Sequence, residues 1–257
     1  IAGVCTADSS LAGGNLLTMS KNLTLEGGWT PDFILGNRQP GIIPTILDGI
    51  GVARVLDIQA RVTDSTIVEL TIRNGAATDG AGIRNAGTLT SSGGVLQNNI
   101  ATGNGGAISN SSTYTANGGS FTGNSATTGG AISNSGDMDL LNGSITNNQA
   151  DAGGAISTSG GSAFKEVMTI ANNTATSGNG GGILHTAGTL TLSRTDINNN
   201  TASNGDGGGI YSVAPSTTFV ASNTLMHRNT APNGNGGAVY NTSRSVMTQM
   251  TVADNSA

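Results

Sequence analysis

The sequence predicts a right-handed, single-stranded parallel β-helix, an all-β solenoid with three short strands in each of about 10–11 coils. Three observations lead to this fold class. A Gly-rich motif recurs every 24 to 29 residues, each interval holds short apolar runs, and no segment shows helical periodicity. An αβ solenoid is excluded because it would need a helix-forming segment in every repeat. Coils stacked at the strand spacing of about 4.8 Å would form a rod on the order of 50 Å long.

Each regular repeat opens with a Gly-rich tetrad that ends in Ile or Val. The tetrads occupy residues 80–83, 105–108, 129–132, 153–156, 180–183, 207–210 and 236–239. Glycine allows a corner with positive φ and a close backbone approach, and the aliphatic residue predicts a buried row. The tetrad residues assigned to corner and core are Gly106, Ile108, Gly130, Ile132, Gly154, Ile156, Ile183, Ile210 and Val239.

A second motif in each repeat places an Asn three residues after an apolar residue. The pairs are Leu96 and Asn99, Phe121 and Asn124, Ile145 and Asn148, Ile170 and Asn173, Ile197 and Asn200, Met226 and Asn229, and Val252 and Asn255. We expect the apolar members to stack inside the solenoid, where burial of one such side chain contributes roughly 1.5–3 kcal/mol. The Asn either occupies a left-handed bend or stacks its amide in a ladder, with a ligand-binding row as the alternative.

The repeat pattern predicts one elongated domain over residues 1–257. Residues 1–79 have looser repeats and form irregular N-terminal coils, with a surface loop at 30–44. Residues 80–257 form the regular coils. Between the two motifs, a third short run such as Thr88-Leu89-Thr90 or Met138-Asp139-Leu140 supplies the third strand.

Composition excludes several classes of function. The net charge is only −5, charged residues make up 10% of the chain, and no basic run is present, so nucleic acid is not an expected partner. No apolar run is long enough to span a bilayer. The lone Cys5 is expected to be a small buried hydrophobe or to pair outside this segment. Without an initiating Met or a signal peptide, the chain is interpreted as a processed or excised segment.

Two groups of polar residues are candidates for catalysis or metal binding. The first combines Asp48, Asp57, Asp64 and Glu69 with Arg54 and Arg61, the one dense set of charges, which would have to carry glycan hydrolysis or lyase activity. The second is a periodic row before the tetrads, formed by Asp79, Asn104, Asp151, Asn179, Asp206 and Asn235. We expect this row to set turn geometry, with weak Ca²⁺ binding as the alternative, and no other cofactor. His185 and His227 occupy different positions in their coils and predict no metal pair.

The Gly-Gly-Ala-Ile tetrads at 105–108, 129–132 and 153–156, with the apolar-x-x-Asn motif, resemble repeats of chlamydial polymorphic outer membrane proteins. That resemblance implies a surface-exposed, autotransported adhesin with a β-helical passenger. Residues 21–29 and 46–49 also resemble the first coils of large secreted, pectin-lyase-like β-helix proteins.

These observations predict a non-catalytic, extracellular structural or adhesive protein of a bacterial cell surface. Partners would be cell-surface glycans and further coils, reached by self-association through open β-helix ends or supplied by adjoining segments of a longer chain. The alternatives are a polysaccharide lyase or hydrolase and a passive glycan-binding module. The core assignment predicts that Ile132→Asp loosens the rod and that Asp137→Ser does little.

Overall fold

The computed structural model describes residues 3–30, 38–39, 42–213 and 218–257 and confirms the all-β parallel solenoid. In these ranges every pair of neighbouring strands is parallel, and the one helical element is a 3₁₀ turn at Ser9–Leu11. Most of the loop predicted at 30–44 lies outside the described residues.

The looser N-terminal coils contain eight strands. They are β1 (Val4–Thr6), β2 (Asn15–Met19), β3 (Thr24–Glu26), β4 (Thr45–Asp48), β5 (Arg54–Ile58), β6 (Ser65–Val68), β7 (Leu70–Arg73) and β8 (Ala76–Ala77). The first regular coils contain β9 (Ile83–Asn85), β10 (Thr88–Ser92), β11 (Val95–Gln97), β12 (Ile100–Ala101), β13 (Ile108–Asn110), β14 (Thr113–Asn117), β15 (Ser120–Thr122), β16 (Ser125–Thr128), β17 (Ile132–Asn134), β18 (Asp137–Leu141), β19 (Ser144–Thr146) and β20 (Gln149–Ala152).

The remaining coils contain two long strands among short ones. These strands are β21 (Ile156–Glu166), β22 (Thr169–Ala171), β23 (Thr174–Ala175), β24 (Ile183–Ser193), β25 (Asp196–Asn198), β26 (Thr201–Ala202), β27 (Ile210–Ser212), β28 (Thr218–Ser222), β29 (Leu225–His227), β30 (Val239–Asn241), β31 (Arg244–Thr248) and β32 (Thr251–Ala253).

Three sheets enclose one interior. A ten-stranded sheet takes one strand from each coil, in the order β1-β4-β7-β11-β15-β19-β22-β25-β29-β32. A sixteen-stranded sheet holds the other two predicted strands of each coil, because β21 and β24 run without a break across the corner between them. A six-stranded sheet, β8-β12-β16-β20-β23-β26, adds a fourth strand to the three expected. Its strands have two to four residues, too few for an alternating pattern to mark them in the sequence.

Left-handed residues recur at three corners of the regular coils. The first is the leading tetrad glycine, such as Gly105 or Gly129, with φ of 63° and 67°. The second lies between the sixteen-stranded and ten-stranded sheets, where even Val167 adopts φ of 53°. The third directly precedes the recurring Asn and is itself usually Asn, such as Asn147 with φ of 58°. Glycine and asparagine tolerate this region best, which explains their abundance in the chain.

Apolar rows from successive coils fill the interior. The tetrad row consists of residues with no exposed surface: Ile83, Ile108, Ile132, Ile156, Ile183 and Ile210. Opposite it, the ten-stranded sheet contributes Leu96, Phe121, Ile145, Ile170, Ile197 and Met226. Because each side chain rests on a like side chain above and below, three or so apolar residues per coil are enough for a continuous core.

Candidate functional site

The recurring Asn residues form an amide ladder along the solenoid. Each Nδ2 donates to the Oδ1 of the Asn in the next coil at 2.9–3.0 Å. Each of these Oδ1 atoms also accepts the backbone N–H of the Asn in the preceding coil. The ladder contains Asn99, Asn124, Asn148, Asn173, Asn200, Asn229 and Asn255. Of the two structural roles expected for this Asn, stacking applies, and the residue before it takes the left-handed bend.

Asn148 shows how fully the ladder uses its polar atoms. Its Nδ2 donates to the carbonyls of Phe121 and Thr146 and to Asn173 Oδ1, each at 3.0 Å. Its Oδ1 accepts the backbone N–H and the Nδ2 of Asn124. The side chain is also buried, so the geometry leaves neither a free donor nor a path for a ligand at this row.

The structure contains a second amide ladder that was not predicted from the sequence. Asn85, Asn110 and Asn134 are buried and joined by Nδ2–Oδ1 hydrogen bonds of 2.7 and 2.6 Å. The signal was present in the sequence, since each of these residues follows its tetrad Ile by two positions. The row then changes composition, and Thr158 and His185 take the next two places.

The second glycine of each tetrad allows the coils to approach closely. A Cβ atom on Gly106, Gly130 or Gly154 would lie 2.4, 2.2 or 2.3 Å from a carbonyl oxygen of the next coil. Real Cβ atoms do not come so near backbone oxygen, so only glycine fits these positions. The structure therefore places the glycines and isoleucines predicted from the repeat at corners and in the core.

The charges considered for catalysis do not converge. Asp48 and Asp57 are both buried, but they end up in different sheets and each is paired with arginine. Arg73 Nε lies 2.7 Å from Asp48 Oδ2, and Arg84 contacts both oxygens of Asp57 at 2.6 and 3.0 Å. Burial opposes ionisation of Asp48, yet hydrogen bonds from Ile50 N–H, Asn74 and Arg73 hold its pKa below the ordinary value.

The other members of that charged group lie apart. Asp64 and Arg61 are exposed, and Arg61 Nη2 donates to Gln59 Oε1 at 2.7 Å. Glu69 occupies a left-handed corner and forms an ion pair with Arg38 at 3.5 Å. Arg54 donates to backbone carbonyls of the next coil and to Asn15 Oδ1. The contacts of Glu69 and Arg54 join neighbouring coils, and among the described residues no hydrogen bond or ion pair brings two of these carboxylates together.

The Asp and Asn row before the tetrads lines the turns. Asp79 Oδ1 accepts the backbone N–H of Asn104 at 2.7 Å, and Asp206 Oδ1 does the same for Asn235. Asn179 Oδ1 accepts the N–H of Asp206. This geometry shows how the row can set the turns; weak Ca²⁺ binding stays a prediction. Within the described ranges, no three His, Cys, Asp or Glu side chains come together.

Both histidines face groups from adjacent coils. His185 is buried, with Nδ1 2.7 Å from Thr158 Oγ1. Burial lowers its pKa to about 4, with a further lowering from Lys165 and an opposing hydrogen bond to the Thr218 carbonyl. His227 lies on the ten-stranded sheet, its Nε2 3.3 Å from Asp196 Oδ1. Lys165, which the sequence did not mark, is buried inside the solenoid.

An apolar groove and an aromatic pair lie on the outer surface. A groove of about 640 Å³ runs between the exposed side chains of Ile50 and Ile100, over Gly75 and Ala76. On the sixteen-stranded sheet, the rings of Tyr211 and Tyr240 stack in parallel with centroids 5.3 Å apart. Neither feature gathers the convergent polar groups that a catalytic pocket requires.

These features define a parallel β-solenoid repeat protein. Residues 194–213 match the Chlamydia polymorphic membrane protein repeat. The matched segment begins two residues before β25 and ends three residues after the tetrad at 207–210, and it contains one complete Asn motif. The resemblance drawn from the tetrads and the Asn motif is thus confirmed for this repeat. No curated protein and no solved structure matched the chain.

The solenoid and the matched repeat together fit a surface β-helix protein, associated with the outer membrane or cell surface. No described segment is a helix of the length and apolarity needed to cross a bilayer.

Proposed function

We propose that the chain is a non-catalytic structural and adhesive rod of a bacterial cell surface. The proposal rests on the structural roles that the repeated residues already fill. Gly, Ile and Asn serve as corners, core and ladder, and the outward rows left for contact are mostly uncharged hydroxyls and amides. From Asn85 to Gly136 no side chain is charged.

The outer face of β10 and β14 illustrates the proposed contact surface. Leu89 and Tyr114 point inward and are buried, so Thr88 and Thr90, with Thr113 and Thr115 one coil further, face outward. Their spacing is about 4.8 Å between coils and about 6.6 Å along each strand. A grid of hydroxyls at these spacings suits neutral glycans, where many weak hydrogen bonds act together.

Retention on immobilised neutral polysaccharides tests the adhesive role. We expect the intact chain to be retained and a Thr113→Ala, Thr115→Ala variant to elute earlier, because two outward hydroxyls are lost without disturbing the buried Tyr114. Substitution of Ser203 by Ala, on a different face, serves as the control. Equal elution of all three proteins, or retention on none of the polysaccharides, would contradict adhesion through this face.

The competing lyase or hydrolase function makes a different prediction. The ion pairs of Asp48 and Asp57 support a structural role for both carboxylates, so we expect no turnover of polygalacturonate or related polyanions. Turnover that disappears in Asp57→Ala, while the variant keeps its far-ultraviolet circular dichroism, would establish an enzyme and overturn the proposal.

Axial self-association is the second part of the proposed function. In the coil of β31 and β32, the inward residues Met247 and Val252 are 42% and 57% exposed. Their partners one coil earlier, Ala221 and Met226, are fully buried. We infer that a further coil covers this rung, supplied by a second copy of the chain or by an adjoining segment of a longer chain, as each coil covers the one before it. Negative-stain microscopy should show fibres, and isolated short rods at all concentrations would contradict this assembly.

A further inference from the structure

Lys165 is a lysine whose side chain is buried in the apolar core. Its side chain points into the solenoid from β21, between Leu140 of β18 and Leu192 of β24, and all three residues have no exposed surface. No described residue lies within hydrogen-bonding distance of its Nζ atom. A buried ammonium group without a partner is strongly destabilising, so this coil differs in kind from its neighbours.

The packing around Lys165 is also irregular. The amide ladder of Asn110 and Asn134 stops at this coil, because Thr158 replaces Asn here and His185 replaces it in the next coil. The pairing of β21 with β24 shifts register between Thr158 and Ser162, the one such irregularity among the described parallel pairs. The second amide ladder and unbroken register are therefore both missing in these coils, whereas the ladder of Asn148, Asn173 and Asn200 continues through them.

The charged and titratable groups around Lys165 do not compensate it. Asp139 on β18 attracts the ammonium, but it lies on the outer surface, as does Asp137. Glu166, the next residue, pairs with Arg194 on the outside. From β24, His185 faces the same interior, and the positive charge of Lys165 lowers the pKa of that imidazole. The interior residues across the coil, Ile145 and Ile170, are apolar.

We propose that Lys165 makes the two successive coils of β21 and β24 an acid-sensitive joint, at which the solenoid opens locally as the ammonium form becomes populated. Opening lets water reach the Nζ atom, which the folded interior cannot solvate. The N-terminal coils up to β20 and the C-terminal coils from β27 keep their own apolar rows and ladder, so they stay folded on either side.

The direction of the pH dependence follows from the pKa. Burial lowers the pKa of Lys165 from 10.5 to about 7, with Asp139 opposing the shift. The stability of the closed coil is therefore complete above pH 10.5 and falls as the pH drops towards 7, because the open form binds a proton that the closed form resists. His185, lowered from 6.5 to about 4, adds a loss of the same sign between those values.

Hydrogen exchange measured by mass spectrometry at pH about 8 and about 6 tests the joint, after correction for intrinsic exchange rates. The lowered pKa of Lys165 makes opening at the lower pH about tenfold more frequent, and the lowered pKa of His185 increases it further in the same direction. We expect this increase in peptides from β21 and β24 and none in peptides from β13 to β15. Lys165→Met should remove most of this increase, because it abolishes the lysine contribution and relieves part of the pKa lowering of His185, and it should slow exchange at both pH values.

Lys21, the other lysine of the chain, is exposed and provides the control, since Lys21→Met should exchange like the unaltered protein. A second measurement needs no variant. With ¹³C-labelled lysine, the unaltered protein should give one signal that titrates near pH 7 and one in the ordinary lysine range. Two signals in the ordinary range, or the same pH response with and without Lys165, would overturn the proposal.

Discussion

Ile132→Asp is expected to lower the free energy of unfolding by about 4 kcal/mol or more, enough to loosen or unfold the solenoid. Ile132 has no exposed surface, and it stacks directly between Ile108 and Ile156 in the tetrad row. A carboxylate there would be surrounded by aliphatic side chains with no hydrogen-bond donor placed to receive it. Urea denaturation followed by circular dichroism measures the loss.

The adjacent residue provides the matched control. Ser133 faces outward from the same strand, so Ser133→Asp introduces the same charge one position away without burying it. We expect a change below about 0.5 kcal/mol for this control. Asp137→Ser should cost about 1 kcal/mol or less, because it removes one exposed hydrogen bond, 2.9 Å long, from the Ser162 N–H. Equal thermal stabilities of Ile132→Asp and Asp137→Ser would contradict the core assignment.

Asn148→Ala is expected to destabilise the solenoid by about 3 kcal/mol or more. The substitution removes five side-chain hydrogen bonds in the middle of the ladder. It leaves the backbone N–H of Asn124 and the carbonyl of Phe121 buried without these partners, and each unsatisfied group costs about 1–3 kcal/mol. The same urea titration reports the effect.

Asn147→Gly tests the left-handed corner residue separately from the stacked Asn148 of the ladder. Asn147 is exposed and left-handed, with φ of 58°, and the equivalent residue one coil earlier is already Gly123. We therefore expect this variant to keep the stability of the unaltered chain within about 0.5 kcal/mol. If the two asparagine variants lost stability equally, the distinction between the stacked and the left-handed Asn would be wrong.

The recurrence of short motifs was sufficient to predict the architecture. A tetrad such as Gly129 to Ile132 encodes its own corner and core position, because only glycine fits where a Cβ would meet the next coil's carbonyl. Since the coils stack in register, one correctly interpreted repeat predicts all the others. The fourth strand was missed because two residues, such as Ile100 and Ala101, carry no periodic signal.

The placement of charge could not be predicted in the same way. The ion pair of Asp57 with Arg84 joins residues 27 positions apart in one coil and the next, and only the register of β5 with β9 brings them together. The burial of Lys165 could not be predicted for a related reason. The register between Thr158 and Ser162 shifts, so the sequence alone does not show that Lys165 falls in the row of Leu140 and Leu192.

Successive repeats stack in parallel, with one coil per repeat. Thr71, Thr169 and Thr251 share one outward row of the ten-stranded sheet, and the strand order places Thr169 four coils and Thr251 seven coils from Thr71. Pairs of spin labels at these positions, in a Cys5→Ser background, allow the distances to be measured by pulsed electron resonance. Stacking at about 4.8 Å per coil predicts separations near ~19 Å and ~34 Å, with narrow distributions. Distances that fail to grow in proportion to the number of coils would contradict the solenoid.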